Sequence, residues 1–271
     1  MKTILKIAIS LVFLYVFLCS LLFIFQRDLL YHPAKEKIVI EPHLKQYGGE
    51  FTYQVNGIPF KGHLFPPLKE NGCLFIYFHG NAHHAGSRFD DISIVMNEGH
   101  GFFMPGYPAY GENEGELSKE AILNAARSSI TAILKTGLIK EDKIILTGES
   151  LGTGVATQMA TEFNSAGLIL KSPYYSLSET AKYHYPIFPV ETLLKDKFEV
   201  GPLLSQVDEP LFIAHGGEDR VIPLSQALKS YKAHQGKKQM MTLETSHHND
   251  IYWQNFYPQA IGFINDANEK D

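Results

Sequence analysis

A serine between two glycines is the first feature of this sequence that suggests catalysis. The stretch GESLG at 148–152 has the pattern G-x-S-x-G and lies between the apolar run KIILT and a helix-like stretch. A strand-to-helix turn this tight holds Ser150 in a strained backbone conformation, where side chains at either glycine position would clash. Such a turn presents the serine hydroxyl at a helix N-terminus. We therefore predict Ser150 as a nucleophile rather than an idle turn residue.

A serine hydroxyl is a weak nucleophile, so we looked downstream for a base and for an acid that orients it. Asp219 directly follows the apolar run PLFIA in the stretch HGGEDRVIP, and Glu218 is the neighbouring alternative. His247 and His248 follow the apolar run KQMMTLE. Neighbouring loop residues face different directions, so only one of these histidines can reach Ser150. We assign Asp219 as the acid and favour His248 as the base, while the residues alone leave His247 open.

Two backbone N–H groups are candidates for holding an oxyanion. Leu151 follows the serine at the start of the predicted helix, and Asn81 lies in the tripeptide HGN after the apolar run CLFIYF, with Ala82 as second choice. We expect His79 to hydrogen-bond this loop. Although His79 and His83 have metal-ligand spacing, the segment between them crosses a strand end and a glycine loop, so we expect no metal. No cofactor is expected either.

An uncharged N-terminal run predicts a membrane anchor. Ile7 to Phe25 would span about 28 Å as a helix, close to the thickness of a bilayer's hydrocarbon core. A cleaved signal peptide is the alternative, but this run is longer than a usual signal core, and bulky residues fill the positions of a cleavage site. We therefore assign residues 1–27 as a single-pass anchor. Lys2 and Lys6 favour a cytoplasmic N-terminus and a non-cytoplasmic catalytic domain.

The rest of the chain alternates between short apolar runs and helix-like stretches. We expect residues 28–50 to form an irregular linker and 51–271 to form one domain, and Asn56-Gly57 marks a hairpin turn. This alternation predicts an α/β fold with a mostly parallel sheet, helices on both faces and ligands bound at the carboxyl ends of the strands. The predicted strands are 51–55, 59–65, 73–78, 101–105, 143–148, 166–171, 210–215 and 238–244, and the predicted helices are 118–134, 151–163, 224–234 and 251–263.

Composition narrows the possible partners. The chain has 271 residues, a formal net charge of −5 and two cysteines, with an isoelectric point of about 6.2. An acidic chain argues against a nucleic-acid partner, because binding phosphates requires a basic surface. Cys19 and Cys73 do not make a disulfide framework.

Taken together, these motifs resemble the α/β-hydrolase superfamily, and more narrowly its membrane-anchored, ABHD-type or Bem-type serine hydrolases. The resemblance extends from about residue 25 to 263. Its motifs are FQRDLLYHP at 25–33, HGNA at 79–82, YPAYGENEG at 107–115, GESLG at 148–152, SPYYSL at 172–177, the HGGEDRVIP stretch with Asp219, and HND at 248–250. The sequence departs from the family pattern at Gly106, Ala109, His83 and His84, which affects loop shape rather than the three proposed catalytic residues.

The resemblance implies an α/β-hydrolase fold with Ser150 as nucleophile, His248 as base and Asp219 as the acid that fixes the histidine tautomer. It also implies an ester, thioester or amide substrate that is cleaved through an acyl-enzyme. The residues between the strands ending at 171 and starting at 210 leave room for a short lid. Proximity to a membrane favours an acyl-chain substrate. An aminopeptidase-like enzyme and a non-catalytic binding protein on the same fold are the alternatives.

Overall fold

An eight-stranded sheet forms the centre of the protein in the computed structural model, which describes residues 1–83 and 89–269. A separate pair of short strands is formed by β1 and β5. The strands are β1 (His32–Pro33), β2 (Gly49–Val55), β3 (Ile58–Phe65), β4 (Leu74–Phe78), β5 (Ala82–His83), β6 (Gly101–Met104), β7 (Ile144–Glu149), β8 (Gly167–Lys171), β9 (Leu211–Gly216) and β10 (Lys238–Leu243).

The order of strands in the large sheet is β10-β9-β8-β7-β4-β6-β3-β2. The pairs from β10 through to β6 are parallel, whereas β3 pairs antiparallel with both β6 and β2. The β2–β3 hairpin turns at Asn56 and Gly57, whose φ angles of 52° and 81° fit the Asn-Gly turn that the sequence predicts. The expected α/β fold with a mostly parallel sheet is confirmed.

Helices cover both faces of this sheet. The alternating residues of β4 show the two faces, since Leu74 and Ile76 join one apolar cluster with α3 and α4, while Phe75 joins a second cluster with α2 and α9. Both faces are therefore buried, as expected for a parallel sheet. The helices are α1 (Lys2–Leu30), α2 (Phe89–Asn97), α3 (Lys119–Lys135), α4 (Leu151–Ala160), α5 (Leu177–His184), α6 (Val190–Leu193), α7 (Gly201–Leu204), α8 (Leu224–Ala233) and α9 (Trp253–Asn268).

The N-terminal helix and the segment after it differ in detail from the prediction. Helix α1 continues to Leu30, three residues past the expected end of the anchor. The expected linker is not irregular throughout, because its start is helical, His32–Pro33 pairs with β5, and β2 already begins at Gly49. Tyr31 and Leu44 are each only 2% exposed. These two side chains pack into the core of the domain, whereas the side chains of an irregular linker would stay exposed. The division into three regions stays a prediction.

Three short helices, α5, α6 and α7, lie between β8 and β9, where the sequence leaves room for a short lid. We call residues 177–194, which contain α5, α6 and their connection, the lid segment. It packs against α1 rather than standing free, and the Gln26 side-chain amide donates to the carbonyl oxygen of Leu193 at 2.9 Å. The lid segment is therefore positioned by the N-terminal helix.

Candidate active site

The turn at Ser150 has the strained geometry that the G-x-S-x-G pattern predicts. Ser150 connects β7 to α4 with φ 51° and ψ −118°, a positive φ that is rare for a residue other than glycine. Its backbone N–H donates to the carbonyl oxygen of Lys171, at the end of the neighbouring strand, at 2.9 Å. Backbone strain of this kind costs about 1–3 kcal/mol and is concentrated at functional sites.

The two flanking glycines are required by close backbone contacts. A Cβ atom on Gly148 would lie 2.4 Å from the carbonyl oxygen of Gly152, and one on Gly152 would lie 2.0 Å from that of Phe78. Real Cβ atoms do not approach other atoms so closely. The sequence predicts that any side chain would clash at both positions. The close packing of this turn, and of β4 against the start of α4, agrees with that prediction.

The structure brings Ser150, His248 and Asp219 into one chain of hydrogen bonds. The Oγ of Ser150 lies 3.0 Å from Nε2 of His248, and Nδ1 of His248 lies 2.6 Å from Oδ2 of Asp219. Since an ionised carboxylate can only accept, Nδ1 carries the proton donated to Asp219, and Nε2 is left to accept the serine hydroxyl. The three residues come from the carboxyl ends of β7 and β9 and from the loop after β10.

The carboxylate of Asp219 is fixed by the backbone as well as by the histidine. Its Oδ1 accepts the N–H groups of Val221 and Ile222, each at 2.8 Å. Burial acts to raise the pKa of this carboxyl, but the hydrogen bond from His248, the charge of His248 and the N–H of Ile222 outweigh burial and lower the pKa. Asp219 is therefore held ionised and in place, as an orienting acid must be.

The two alternatives that the sequence left beside these residues lie elsewhere. The side chain of Glu218 is 54% exposed, and its carboxylate is 3.8 Å from Nε2 of His247. The ring of His247 is equally exposed, with Nδ1 at 2.9 Å from the carbonyl oxygen of Glu218. By contrast, the side chain of His248 is only 12% exposed. Successive residues of the loop thus face different directions, as the sequence argument requires.

The loop after β4 lies directly against the serine. A Cβ atom on Gly80 would be 3.5 Å from Cβ of Ser150. The next residue, Asn81, uses its carbonyl oxygen to accept from the backbone of His32 at 2.9 Å and from the hydroxyl of Tyr110 at 2.6 Å. Its side-chain amide donates to the carbonyl oxygen of Leu30. These bonds fix the Asn81 backbone next to the serine, where its N–H is the group considered for oxyanion binding.

Leu151 is the first residue of α4, so its N–H has no acceptor within the helix and lies at the positive end of the helix dipole. This is the position that the sequence assigns to the first oxyanion donor. The second-choice donor, Ala82, belongs to β5 and is in register with His32. His84 lies outside the described residues, and the side chain of His83 does too.

Comparisons with known proteins bear on the family and the fold of the chain. No protein-family model matches the chain. The chain is 26% identical to an uncharacterized protein of Mycobacterium tuberculosis over 227 residues, which are 83% of this chain and 81% of the relative. It is 27% identical to the alpha/beta hydrolase domain-containing protein 17B of Xenopus laevis over 179 residues, or 65% of this chain and 60% of that protein.

Two solved structures match most of the chain at 14% sequence identity. An alpha-beta hydrolase from Vibrio vulnificus has a TM-score of 0.71 and covers 88% of this chain and 92% of its own. The Pyrococcus furiosus esterase Pf2001 has a TM-score of 0.70, with 87% and 99% covered. The chain has the α/β-hydrolase fold. The expected superfamily resemblance is thereby confirmed.

A buried histidine and two tyrosines support the loop beside the serine in this α/β-hydrolase fold. His79 is 3% exposed, its Nδ1 lies 2.8 Å from the carbonyl oxygen of Gly80, and its ring centroid is 4.0 Å from that of Tyr107. This agrees with the structural role expected for His79. Ala109, in the same tyrosine-rich loop, has φ 63°, which explains why the family pattern has glycine there.

A buried ion pair beneath the serine is a feature that the sequence analysis missed. The ammonium group of Lys171 lies 3.2 Å from Oε1 of Glu149, and the side chains are only 3% and 8% exposed. The hydroxyl of Tyr77 also donates to Glu149. Glu149 and Lys171 are direct partners in the register of β7 and β8. Opposite charges at the carboxyl ends of two neighbouring predicted strands were the available signal.

An apolar cavity of about 130 Å³ lies between α1 and the lid segment. None of the three hydrogen-bonded residues of the site lines it. Its connection to the site is Leu30, which lines the cavity and whose carbonyl oxygen accepts from Asn81. The lining residues are Leu22, Gln26, Leu29, Leu30, Leu177, Ala181, Tyr185, Phe188, Val190, Leu193 and Leu194.

Within residues 1–83 and 89–269, no group of three or more histidine, cysteine, aspartate or glutamate side chains is arranged to hold a metal ion. Cys73 is buried and Cys19 is partly buried, and both are free thiols.

Proposed function

We propose that this protein is a serine hydrolase that cleaves acyl esters or thioesters through an acyl-enzyme on Ser150. The observation that carries the proposal is the chain of hydrogen bonds from Ser150 through His248 to Asp219, at 3.0 Å and 2.6 Å. A hydroxyl, an imidazole and a buried carboxylate in this order are the groups that acyl transfer to water requires. The strained turn that presents Ser150 supports the same role.

In the proposed reaction, Oγ of Ser150 attacks the carbonyl carbon while Nε2 of His248 takes the hydroxyl proton. The Asp219 carboxylate accepts a hydrogen bond from the Nδ1–H throughout and stays ionised, which holds the ring in the tautomer that can act as a base. The carbonyl oxygen becomes an oxyanion, for which the N–H groups of Leu151 and Asn81 are the proposed donors. His248 then gives its proton to the leaving alcohol or thiol, and the acyl group stays on Ser150.

Water completes the proposed cycle. His248 removes a proton from a water molecule, which attacks the acyl-enzyme, and the proton returns to Oγ of Ser150 as the carboxylic acid leaves. The protein offers an apolar site for one part of the substrate, its acyl chain. The cavity beside Leu30 supports this preference, because most of its lining is aliphatic or aromatic. A hydrocarbon chain is the ligand that such a lining stabilises.

We also propose that α1 anchors the enzyme in a membrane as a single uncleaved span. The helix has 29 residues and a mean hydropathy of 2.8 in its most apolar window. None of this described helix is buried in the protein, which argues against a soluble core helix. Gln26 and Arg27 near its end bond to the lid segment and to Asp196, which argues against its removal as a signal peptide. We place the catalytic domain on the non-cytoplasmic side, because Lys2 and Lys6 precede the span.

The nucleophile is tested with a fluorophosphonate probe on the full chain in detergent micelles. We expect the wild type to be labelled and Ser150→Ala to lose both labelling and ester hydrolysis. Ser205→Ala is the matched control, because Ser205 is an exposed serine at the end of α7. Labelling that persists in Ser150→Ala would refute the proposed nucleophile. Ester, thioester and anilide substrates with the same acyl group then separate the hydrolase from the peptidase alternative.

A further inference from the structure

The connection between α5 and α6 carries apolar side chains that the protein leaves uncovered. We call residues 183–188 the lid tip. Ile187 is 71% exposed, Tyr183 is 60% exposed and Tyr185 is 44% exposed. Large apolar side chains grouped on one exposed element mark an interaction surface rather than an ordinary water-facing loop.

The lid tip is fixed against the middle of α1. The hydroxyl of Tyr15 donates to the carbonyl oxygen of Ile187 at 2.8 Å, and its ring stacks on Phe188 with centroids 5.8 Å apart and planes 5° apart. Tyr15 precedes Phe25, the end of the uncharged run, by about 15 Å along the helix. The lid tip therefore lies beside the centre of the run that we propose to span the membrane.

The polar contacts of the same surface occur at the other end. The carboxylate of Asp196 is bound by Arg27 at 2.8 Å, and the ammonium group of Lys195 lies 4.1 Å from the ring centroid of Phe23. Charges thus face α1 at its carboxyl end, whereas an aliphatic chain and aromatic rings face it near Tyr15. This change along the helix matches the change from headgroups to hydrocarbon in a bilayer.

Two charged side chains of the lid segment lie close to the tip in sequence. Lys182 and Glu191 pair with each other at 3.8 Å, and both are largely exposed. Their positions flank the tip on its two sides, as interfacial charges flank an inserted apolar segment. The nearby His184 turns toward the domain, where its Nε2 lies 2.8 Å from the carbonyl oxygen of Val221.

We infer that the lid tip is a second membrane-contacting element, with Ile187 inside the hydrocarbon region of the bilayer beside α1. The inference rests on the proposed membrane span, and its partner is lipid hydrocarbon. Tyr185 and Phe188 also line the cavity between α1 and the lid segment. A lipid acyl chain can therefore pass from the bilayer to this cavity without crossing water.

The depth of the lid tip can be measured with single cysteines in the full chain. Ile187→Cys, in a background of Cys19→Ala and Cys73→Ala, carries a nitrobenzoxadiazole fluorophore in phosphatidylcholine vesicles. Some of the lipids carry a nitroxide quencher midway along the acyl chain. Leu14→Cys, next to Tyr15 in α1, is the depth reference. Leu138→Cys is the matched control, since Leu138 is also an exposed leucine, 39% exposed, beyond the far end of α3.

Leu138 lies one helix length away from the contact between α1 and Asp196. The N–H of Lys119, at the start of α3, donates to Asp196 at 3.0 Å. From there α3 extends 17 residues, or about 25 Å, toward Leu138. We expect the probe at 187 to lose as much fluorescence to the acyl-chain nitroxide as the probe at 14, and the probe at 138 to lose none.

The outcomes separate this inference from the proposed anchor. Quenching at 14 without quenching at 187 would leave the anchor standing and overturn the lid-tip inference. No quenching at either position would overturn both. A probe at 187 that is shielded from the lipid nitroxide and also from aqueous iodide would be covered by another protein surface, such as a second copy of the chain, and would overturn the inference as well.

Discussion

The backbone N–H of Ser150 and the carbonyl oxygen of Lys171 are joined by a hydrogen bond of 2.9 Å. The same lysine places its ammonium group on Glu149, the residue before the serine, at 3.2 Å. Lys171 thus holds the strained turn by its backbone and by its side chain. Both charges are buried, and each stabilises the other.

Breaking this buried pair should destabilise the protein strongly. Lys171→Met removes the cation that lies 3.2 Å from the Glu149 carboxylate, and loss of one partner of a buried pair costs about 3–5 kcal/mol. For a chain of this size we expect the melting temperature to fall by about 6–20 °C. Thermal unfolding of the full chain in detergent micelles measures this change, and Lys171→Met combined with Glu149→Gln should recover much of it.

The matched control is a lysine in an exposed pair. Lys182→Met removes the cation of a pair with Glu191 in which the side chains are 63% and 71% exposed. Such surface pairs contribute about 0–1 kcal/mol. A loss of melting temperature in Lys171→Met no larger than in Lys182→Met would show that the buried pair does not hold the turn.

The two adjacent histidines provide an internally controlled test of the base. His248→Ala removes the ring that lies 3.0 Å from Ser150, and we expect kcat for ester hydrolysis to fall at least about 1000-fold. His247→Ala removes an exposed ring bonded to the carbonyl oxygen of Glu218, and we expect a loss below about tenfold. Steady-state kinetics on one soluble ester measures both. The reverse order of effects would assign the base to His247.

Replacing glycine by alanine should have opposite effects on stability at Gly152, which the turn requires, and at Gly262, which lies outside the turn. In Gly152→Ala the new Cβ would lie 2.0 Å from a backbone oxygen of β4. We therefore expect the free energy of unfolding to fall by about 2 kcal/mol or more. Gly262→Ala adds its Cβ to an exposed face of α9 with no atom within 4 Å. That variant should gain about 0.5–1 kcal/mol from lower backbone entropy in the unfolded chain. Melting temperatures that move in the same direction would contradict this reading of the turn.

His215 makes stability depend on pH between neutrality and mild acid. Burial lowers the pKa of His215 below its usual value, and its Nε2 lies 2.9 Å from the carbonyl oxygen of Ile222. The unfolded chain then binds the proton more readily than the folded one. Stability is therefore full above about pH 6.5 and falls as the pH drops below it, by at most about 1.4 kcal/mol per pH unit for this proton.

The measurement compares the melting temperature of the wild type with that of His215→Gln between pH 7.5 and 5.5. The glutamine amide can still donate to Ile222 but does not titrate in this range. We expect a shallower loss toward acid in the variant. Some dependence should remain, because burial also lowers the pKa of His100 and of His234. Equal losses in the two proteins would show that His215 is not responsible.

The central strands and the loops that carry the site residues could be predicted from local sequence, although the residues alone left His247 open beside His248. Apolar runs bounded by turn residues gave strands such as Leu74–Phe78 to within one residue. Ser150, Asp219 and His248 each follow such a run, and the carboxyl ends of parallel strands meet at one edge of the sheet. The hairpin at Asn56 and Gly57 follows from two residues that tolerate positive φ.

Features that depend on contacts between distant parts of the chain were not predictable. Glu149 and Lys171 meet because of the register between two strands; their opposite charges at neighbouring strand ends allowed a pair, but apolar patterning does not determine the register. Tyr15 and Ile187 are separated by 172 residues, and no periodic signal in the lid segment indicates that it packs on α1. The burial of Tyr31, in the segment expected to be an irregular linker, was not predictable for the same reason, since it depends on a surface built by later residues.

The order of the site residues along the chain sets when activity can first arise during biosynthesis. His248 comes 98 residues after Ser150 and 29 after Asp219, whereas α1 precedes all three residues. At roughly 5–20 residues per second, the ribosome adds the histidine about 5–20 s after the serine. A growing chain can thus insert the proposed membrane span while it still lacks the proposed base. Under the proposed mechanism, synthesis itself keeps the nascent protein from attacking acyl groups until its last parallel strand has been made.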